Sequence, residues 1–247
     1  MTQDRLFAPG KETVANALID ADGYAAMYAD SIADPDAFWA EHGKRIDWIK
    51  PYSQISDVSY DAGDLHINWF ADGTLNAAAN CLDRHLATRG DQTAIIWEGD
   101  DPADSRHITY AELHEEVCRF ANVMKAEGAK KGDRITIYMP MIPEAAVAML
   151  ACARIGAVHS VVFGGFAPHE LATRIDDCTP KCIVSASCGI EPGRLVPYKP
   201  LLDAAIDHAA HKPDHCVIFQ RPMAEAEMVA GRDLDWQAVE TAAAPAD

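Results

Sequence analysis

A chain of 247 residues in which 49% are hydrophobic is long enough for one large domain or two small ones and apolar enough to bury a core, which excludes disorder as a description of the whole. Its formal net charge of -17 argues against nucleic acid and against anionic membrane surfaces as partners, because phosphate recognition needs net or local positive charge. Seven cysteines, an odd number with no C-x-x-C pair, read as reduced thiols packed in a core and give no zinc-ligand spacing.

The opening Met1-Thr2-Gln3-Asp4-Arg5 leads into no apolar run of signal length. No stretch approaches the ~20 apolar residues that cross a bilayer, so the expected location is cytoplasmic. Residues 1–60 are polar with scattered aromatics (Tyr24, Tyr28, Phe38, Trp39, Trp48, Tyr52), which suggests a leader or cap segment that uses them as packing anchors. Helices are expected over Gly23–Ile32 and Pro35–Arg45, the second opened by an Asp34 cap and a first-turn proline. Helical spacing of Leu75, Ala78, Ala79, Leu82 and Leu86 predicts a helix over Leu75–Arg89, stopped by Gly90. Gln92–Trp97 reads as a strand, and Arg106–Ile108 as its hairpin partner across the Gly99–Pro102 turn.

Thr109-Tyr110-Ala111-Glu112 is a capping box, and the apolar face behind it predicts a helix to Glu127 with Gly128 closing it. Alternation follows: strand Arg134–Met139, helix from Pro143 to Gly156, strand Val158–Phe163, helix Pro168–Asp176, strand Lys181–Ala186, helix Lys199–His208, strand His215–Phe219. Strands separated by helices of this length mean βαβ units and a mainly parallel sheet, with ligands beyond the carboxyl ends of its strands. Residues 61–247 are therefore expected to form an α/β domain, and Ala242–Asp247 a frayed end or linker.

Two segments could carry chemistry. Gly164-Gly165 follows a strand and precedes a helix N-terminus, where backbone N–H groups and the helix dipole favour anions. A phosphate-bearing or pantetheine-like ligand fits there, and so does a plain tight βα turn. Gly189-Ile190-Glu191-Pro192-Gly193-Arg194 follows the next strand; Arg194 could fork onto a phosphate, or be a solvated arginine on a surface loop. The ten histidines form no metal-ligand set, and His159 and His169 read as packing or capping residues. No G-x-S-x-G elbow is present, and Gly128-x-x-x-Gly132 lacks the Lys-Ser/Thr of a nucleotide P-loop.

Longer strings go further. Phe38-Trp39, Lys44–Trp48, Asn68–Asn76 and Asn80–His85 resemble the N-terminal cap region of acetyl-CoA synthetases. Ala94–Gly99, Ile108–Leu113, Met139–Ala145, Leu150–Ala157 and His159–Phe166 continue the likeness, which covers nearly all of residues 20–235. The chain is identified by this resemblance as a member of the AMP-forming short-chain acyl-CoA synthetases. The resemblance implies part of the large N-terminal α/β domain of that fold, with a mostly helical leader. It implies a two-step reaction: ATP and a short carboxylate give an acyl-adenylate and pyrophosphate, then the coenzyme A thiol gives acyl-CoA and AMP, with Mg2+ accompanying the nucleotide. Partners are then small molecules, and a homo-oligomer is compatible with the family.

The same resemblance assigns Gly164 and Gly165 to the pantetheine tunnel and Arg194 to the second of two coenzyme A arginines. Glu191 stands where the first would be, a charge reversal that weakens a phosphate clamp. The family's Ser/Thr/Gly-rich phosphate loop, its carboxylate and nucleotide pockets and its catalytic lysine do not occur in these residues. No catalytic residue is therefore assigned, and the chain alone is expected to be an inactive fragment. A non-catalytic coenzyme A-binding or subunit-interaction module is the alternative. Acetate is the favoured acid; Ser185–Asp203 and Gly231–Trp236 resemble propionate–CoA ligases and keep propionate open.

Overall fold

Aspartate caps open two helices of the N-terminal stretch. In the computed structural model, which describes residues 7–165, 167–191 and 193–244, the chain divides into two compact units, Met1–Leu75 and Asn76–Asp247. The first holds α1 (Lys11–Ala15), α2 (Ala21–Ala33) and α3 (Pro35–Gly43). Asp20 accepts from the Gly23 N–H at 2.8 Å and Asp34 from the Ala37 N–H at 3.0 Å, each satisfying an otherwise orphaned donor. An antiparallel hairpin follows, β1 (Ser56–Asp61) with β2 (Asp64–Trp69). The division expected after residue 60 would cut through β1; the hairpin was not legible because both its faces are largely exposed and so carry no buried period. Trp48, Tyr52 and Phe70 pack on one another, ring centroids 4.6 to 5.6 Å apart, and give this unit its own aromatic cluster.

The second unit starts at Asn76, whose side chain accepts from the Ala79 N–H at 3.1 Å. The helix expected from Leu75 therefore begins after Asn76. It passes through a π-helical turn (Ala79–Asp83) into α4 (Arg84–Arg89). β3 (Thr93–Glu98) and β4 (Ser105–Thr109) form the expected antiparallel hairpin. α5 (Tyr110–Ala126) carries the complete capping box. Then come β5 (Arg134–Tyr138), α6 (Pro143–Ile155), β6 (Val158–Val161), α7 (Pro168–Cys178) and β7 (Cys182–Ala186). Gly156 ends α6 at φ 73°, a left-handed conformation open to glycine. A second hairpin, β8 (Cys188–Glu191) with β9 (Arg194–Pro197), precedes α8 (Tyr198–His208), β10 (His215–Phe219), β11 (Asp233–Asp235) and α9 (Trp236–Ala242). α9 takes in the start of the segment expected to fray; residues 245–247 lie outside the described residues.

Five strands pair in the order β11-β10-β7-β5-β6, every pair parallel, as the alternating pattern requires. Both faces are covered. Ile135, Ile137, Cys182 and Val184 join Leu113, Val117 and Phe120 of α5 and Val147, Ala148 and Ala151 of α6 in one core. Tyr138, Ile183, Cys216 and Ile218 join Leu171 and Ile175 of α7 and Leu202 and Ile206 of α8 in the other. Trp236 of α9 stacks on Phe120 with centroids 3.8 Å apart and closes the first core. Burial pushes the thiols of Cys152 and Cys216 up to about 12 and that of Cys182 further, so these cysteines are protonated core residues, while Cys81 is exposed.

Charge is buried in one place. Lys199, 1% exposed, donates to Asp203 at 2.7 Å and lies 2.8 Å from Asp233, whose side chain is fully enclosed. Arg232 bonds Asp233 at 2.7 Å and also Asp203, so two cations meet two carboxylates and no charge is left over. The network joins α8 to β11 and fixes a strand of only three residues. Lys199→Met should cost about 3–5 kcal/mol, because it leaves an uncompensated buried carboxylate; Asp233→Asn in the same chain should recover part of it. Urea unfolding checks this, and a loss no larger than that of an exposed pair, under about 1 kcal/mol, would remove the network from the account.

Glu116 of α5 is pushed up to about 7, first by burial, with Arg106 opposing at 3.9 Å and Glu240, Glu144 and Glu112 adding repulsion. A raised folded value means that stability present below the ordinary value of 4.5 is lost as pH rises through about 7. Glu116→Gln should therefore melt higher than the parent at pH 8, and the gap should close on titrating to pH 5. A gap independent of pH would assign the effect to packing.

Candidate functional site

In a parallel sheet the strand faces are consumed by packing, which leaves the carboxyl ends for ligands. From β5 the chain moves to β6 on one side and then returns past β5 to β7, β10 and β11 on the other. The reversal lies between β5 and β7, where such sheets open a crevice. The loop after β6 holds Gly164 and Gly165; the hairpin after β7 holds Gly189, Glu191 and Arg194.

Tyr198, a residue the sequence reading passed over, joins these two segments. It opens α8, donates its N–H to the Ser187 carbonyl at 3.1 Å, and is 8% exposed. Its ring centre lies 5.0 Å from that of Tyr138, and the Tyr138 hydroxyl donates to the Gly164 carbonyl at 3.4 Å. A Cβ built on Gly164 would overlap the Tyr198 hydroxyl, and one on Gly189 would overlap the edge of the same ring. Both glycines are thus required by a tyrosine wedged between them. Burial raises the Tyr198 phenol above its ordinary value, and the nearby Glu191 charge adds to it. Gly165 differs: the three atoms nearest a Cβ there all belong to the Phe163 ring, the closest at 2.9 Å, and Phe163 is an exposed side chain that can yield.

The segment Gly189–Arg194, read from the sequence as a loop after the strand, belongs to a β-hairpin. Its register sets Glu191 opposite Arg194, with Gly193 at φ 78° in the turn. Arg194 donates Nε and Nη2 to one Glu191 carboxylate oxygen, at 2.8 and 2.5 Å. The charge reversal noted in the sequence therefore has a physical consequence: Arg194 already has an anion. The pair is exposed, worth about 0–1 kcal/mol, and a phosphate could displace it. Among the described residues no group of three or more His, Cys, Asp or Glu side chains is placed to hold a metal ion.

The profile described as "AMP-binding enzyme" matches residues 82–247, two thirds of the chain. The chain belongs to the AMP-binding enzyme family. A second profile, "Acetyl-coenzyme A synthetase N-terminus", matches residues 24–81. An acetyl-coenzyme A synthetase of Shewanella amazonensis is 52% identical over 99% of this chain, and one of Methylobacterium radiotolerans is 57% identical over 87%. These alignments span 38% and 34% of the two relatives' lengths. Among solved structures, acetoacetyl-CoA synthetase from Streptomyces lividans superposes on 94% of this chain and 35% of its own, with a TM-score of 0.78 and 25% identity. The α/β sheet described above is thus the family's N-terminal region.

The Tyr198 wedge has a direct test. Gly164→Ala should destabilise the family member by about 1–3 kcal/mol through overpacking. Tyr198→Phe, which removes the closest atom, should recover part of that loss in the double variant, giving a measurable coupling in a double-mutant cycle. Strict additivity of the two melting shifts would disprove the contact.

Proposed function

We propose that the protein to which this chain belongs is an AMP-forming acetate–CoA ligase. Acetate attacks ATP to give acetyl-adenylate and pyrophosphate, and the coenzyme A thiol then displaces AMP. The observation that carries this reading is the 52% identity over 99% of the chain to a relative of that name, together with the matching N-terminal profile. Mg2+ would accompany the nucleotide, held by groups outside the described residues. The location is cytoplasmic, and homo-oligomerisation is part of the proposal.

The part assigned to this chain is coenzyme A access. Gly165 leaves the backbone open to the pantetheine arm at the carboxyl end of the sheet, where the nearest atoms among the described residues belong to the yielding Phe163 ring. Gly164 is read as a secondary contact, since its open side is taken by Tyr198. Arg194 meets a coenzyme phosphate only by leaving Glu191, so Glu191 is read as a modulator of affinity. Propionate is the second reading, favoured by the wording of Ser185–Asp203; acid preference in the assay decides between them.

The assay uses residues 1–247 joined to the remaining part of the Shewanella amazonensis relative. This protein should catalyse acetate-dependent ATP–pyrophosphate exchange, with acetate preferred to propionate, while the 247-residue polypeptide by itself stays at background. Gly165→Leu should slow thioester formation about tenfold or more, equivalent to about 1.4 kcal/mol, and spare the exchange reaction. Glu191→Arg should lower the KM for coenzyme A, more so at low salt. Loss of exchange with intact thiol transfer in Gly165→Leu would place this loop at the nucleotide and overturn the assignment.

A further inference from the structure

Arg221 lies two residues past the end of β10, at the same end of the sheet as the Gly164 loop and the β8–β9 hairpin. Its backbone N–H donates to Ser187 Oγ at 2.9 Å, and its Nη1 donates to the Cys188 carbonyl at 3.3 Å. It is 7% exposed. Among the described residues it makes no ion pair. Three other sheltered cations do: Lys199 with Asp203 at 2.7 Å, Arg232 with Asp233 at 2.7 Å, Arg154 with Asp83 at 2.8 Å. Arg134, less buried, instead spends its Nε and Nη2 groups on the Cys178 and Thr179 carbonyls and the Thr179 hydroxyl. The hairpin's own carboxylate, Glu191, is taken by Arg194.

A guanidinium cannot shed its proton, so burial cannot be relieved by neutralisation. Left without a counter-charge it carries a desolvation cost that one carbonyl does not offset. No enclosed side-chain nitrogen lacks a hydrogen-bond partner among the described residues. The Nε and Nη2 groups of Arg221, which donate to nothing among the described residues, are therefore not fully enclosed, and they lie at the strand ends near Tyr198. Its charge acts on that phenol, opposing Glu191.

We propose that Arg221 is an oxyanion-binding residue, and that its ligand is a phosphate or diphosphate group entering at the carboxyl ends of β7 and β10. Three observations converge: a charged side chain more than nine-tenths buried, the absence among the described residues of an ion pair such as Lys199, Arg232 and Arg154 have, and a place at the strand ends where parallel sheets hold ligands. The inference rests on burial and pairing and does not depend on which acid is activated. A carboxylate from elsewhere in a longer protein is the competing occupant.

The test titrates the 247-residue chain with inorganic pyrophosphate at constant ionic strength, following the melting temperature and calorimetric binding, and repeats it with coenzyme A. The parent should show a saturable rise in melting temperature. Arg221→Gln should bind pyrophosphate at least tenfold more weakly, and Arg221→Lys, which keeps the charge but not the fork, should fall between. No saturable response in the parent, or equal binding by parent and Arg221→Gln, overturns the proposal and leaves the carboxylate. If Arg221→Gln fails to fold, the parent titration and the Arg221→Lys affinity decide. Pyrophosphate binding that needs Arg221, without coenzyme A binding, would sustain this inference and count against the coenzyme reading. Coenzyme A binding indifferent to Arg221 would do the reverse.

Discussion

Every strand in the middle of this sheet must satisfy two helix layers at once. β5 shows the constraint: Ile135 and Ile137 enter the core under α5 and α6, while Thr136 and Tyr138 turn the other way. Thr136 reaches Cys178 at the end of α7 at 3.2 Å, and Tyr138 meets α8 through Tyr198. β7 repeats the pattern, with Val184 on one side and Ile183 on the other, and Ser185 donating to the Tyr138 carbonyl at 2.7 Å. With both faces committed, only the strand ends can vary. That is why the glycine loop, the hairpin, Tyr198 and Arg221 all collect at one end.

Polar groups in the interior set register where apolar packing is too sparse to do so. β11 has three residues, and apolar packing there rests on Leu234. Its position beside β10 is fixed by Asp233, held by Lys199 from α8 and by Arg232 from its own chain. Ser187 does similar work at the end of β7. Its N–H goes to Phe219, its carbonyl accepts from Tyr198 and Lys199, and its hydroxyl accepts from Arg221. One residue thus ties the hairpin, α8 and the end of β10 together.

How much of this was legible follows from what each element buries. β5, β6, β7, β10 and α5, α6 and α7 were readable because apolar period, a capping box, first-turn prolines and terminal glycines agreed with one another. The β1–β2 hairpin was not, since Val58, Tyr60, Leu65 and Ile67 are all exposed and the alternation marks no core. β8 and β9 were hidden by Gly189, Pro192 and Gly193, which signal a loop as readily as a hairpin. β11 is too short to show a period. At the site, the glycines and the Glu191–Arg194 conflict could be read from residue types. Tyr198 and Arg221 could not, because their importance lies in what stands beside them in space.

The buried thiols have a chemical consequence of their own. Cys152 sits in α6, Cys182 in β7 and Cys216 in β10, each held as the unreactive thiol, whereas Cys81 is open to solvent. Alkylating reagents attack thiolate, so Cys81 reacts at once and the other three only when their surroundings open. With a slow reagent the labelling rates measure how often each element is open; with a fast one they measure how quickly it opens. These three among the five buried cysteines thus act as internal timers, one in a helix and two in neighbouring strands, and the order in which they run down is the order in which the two layers leave the sheet.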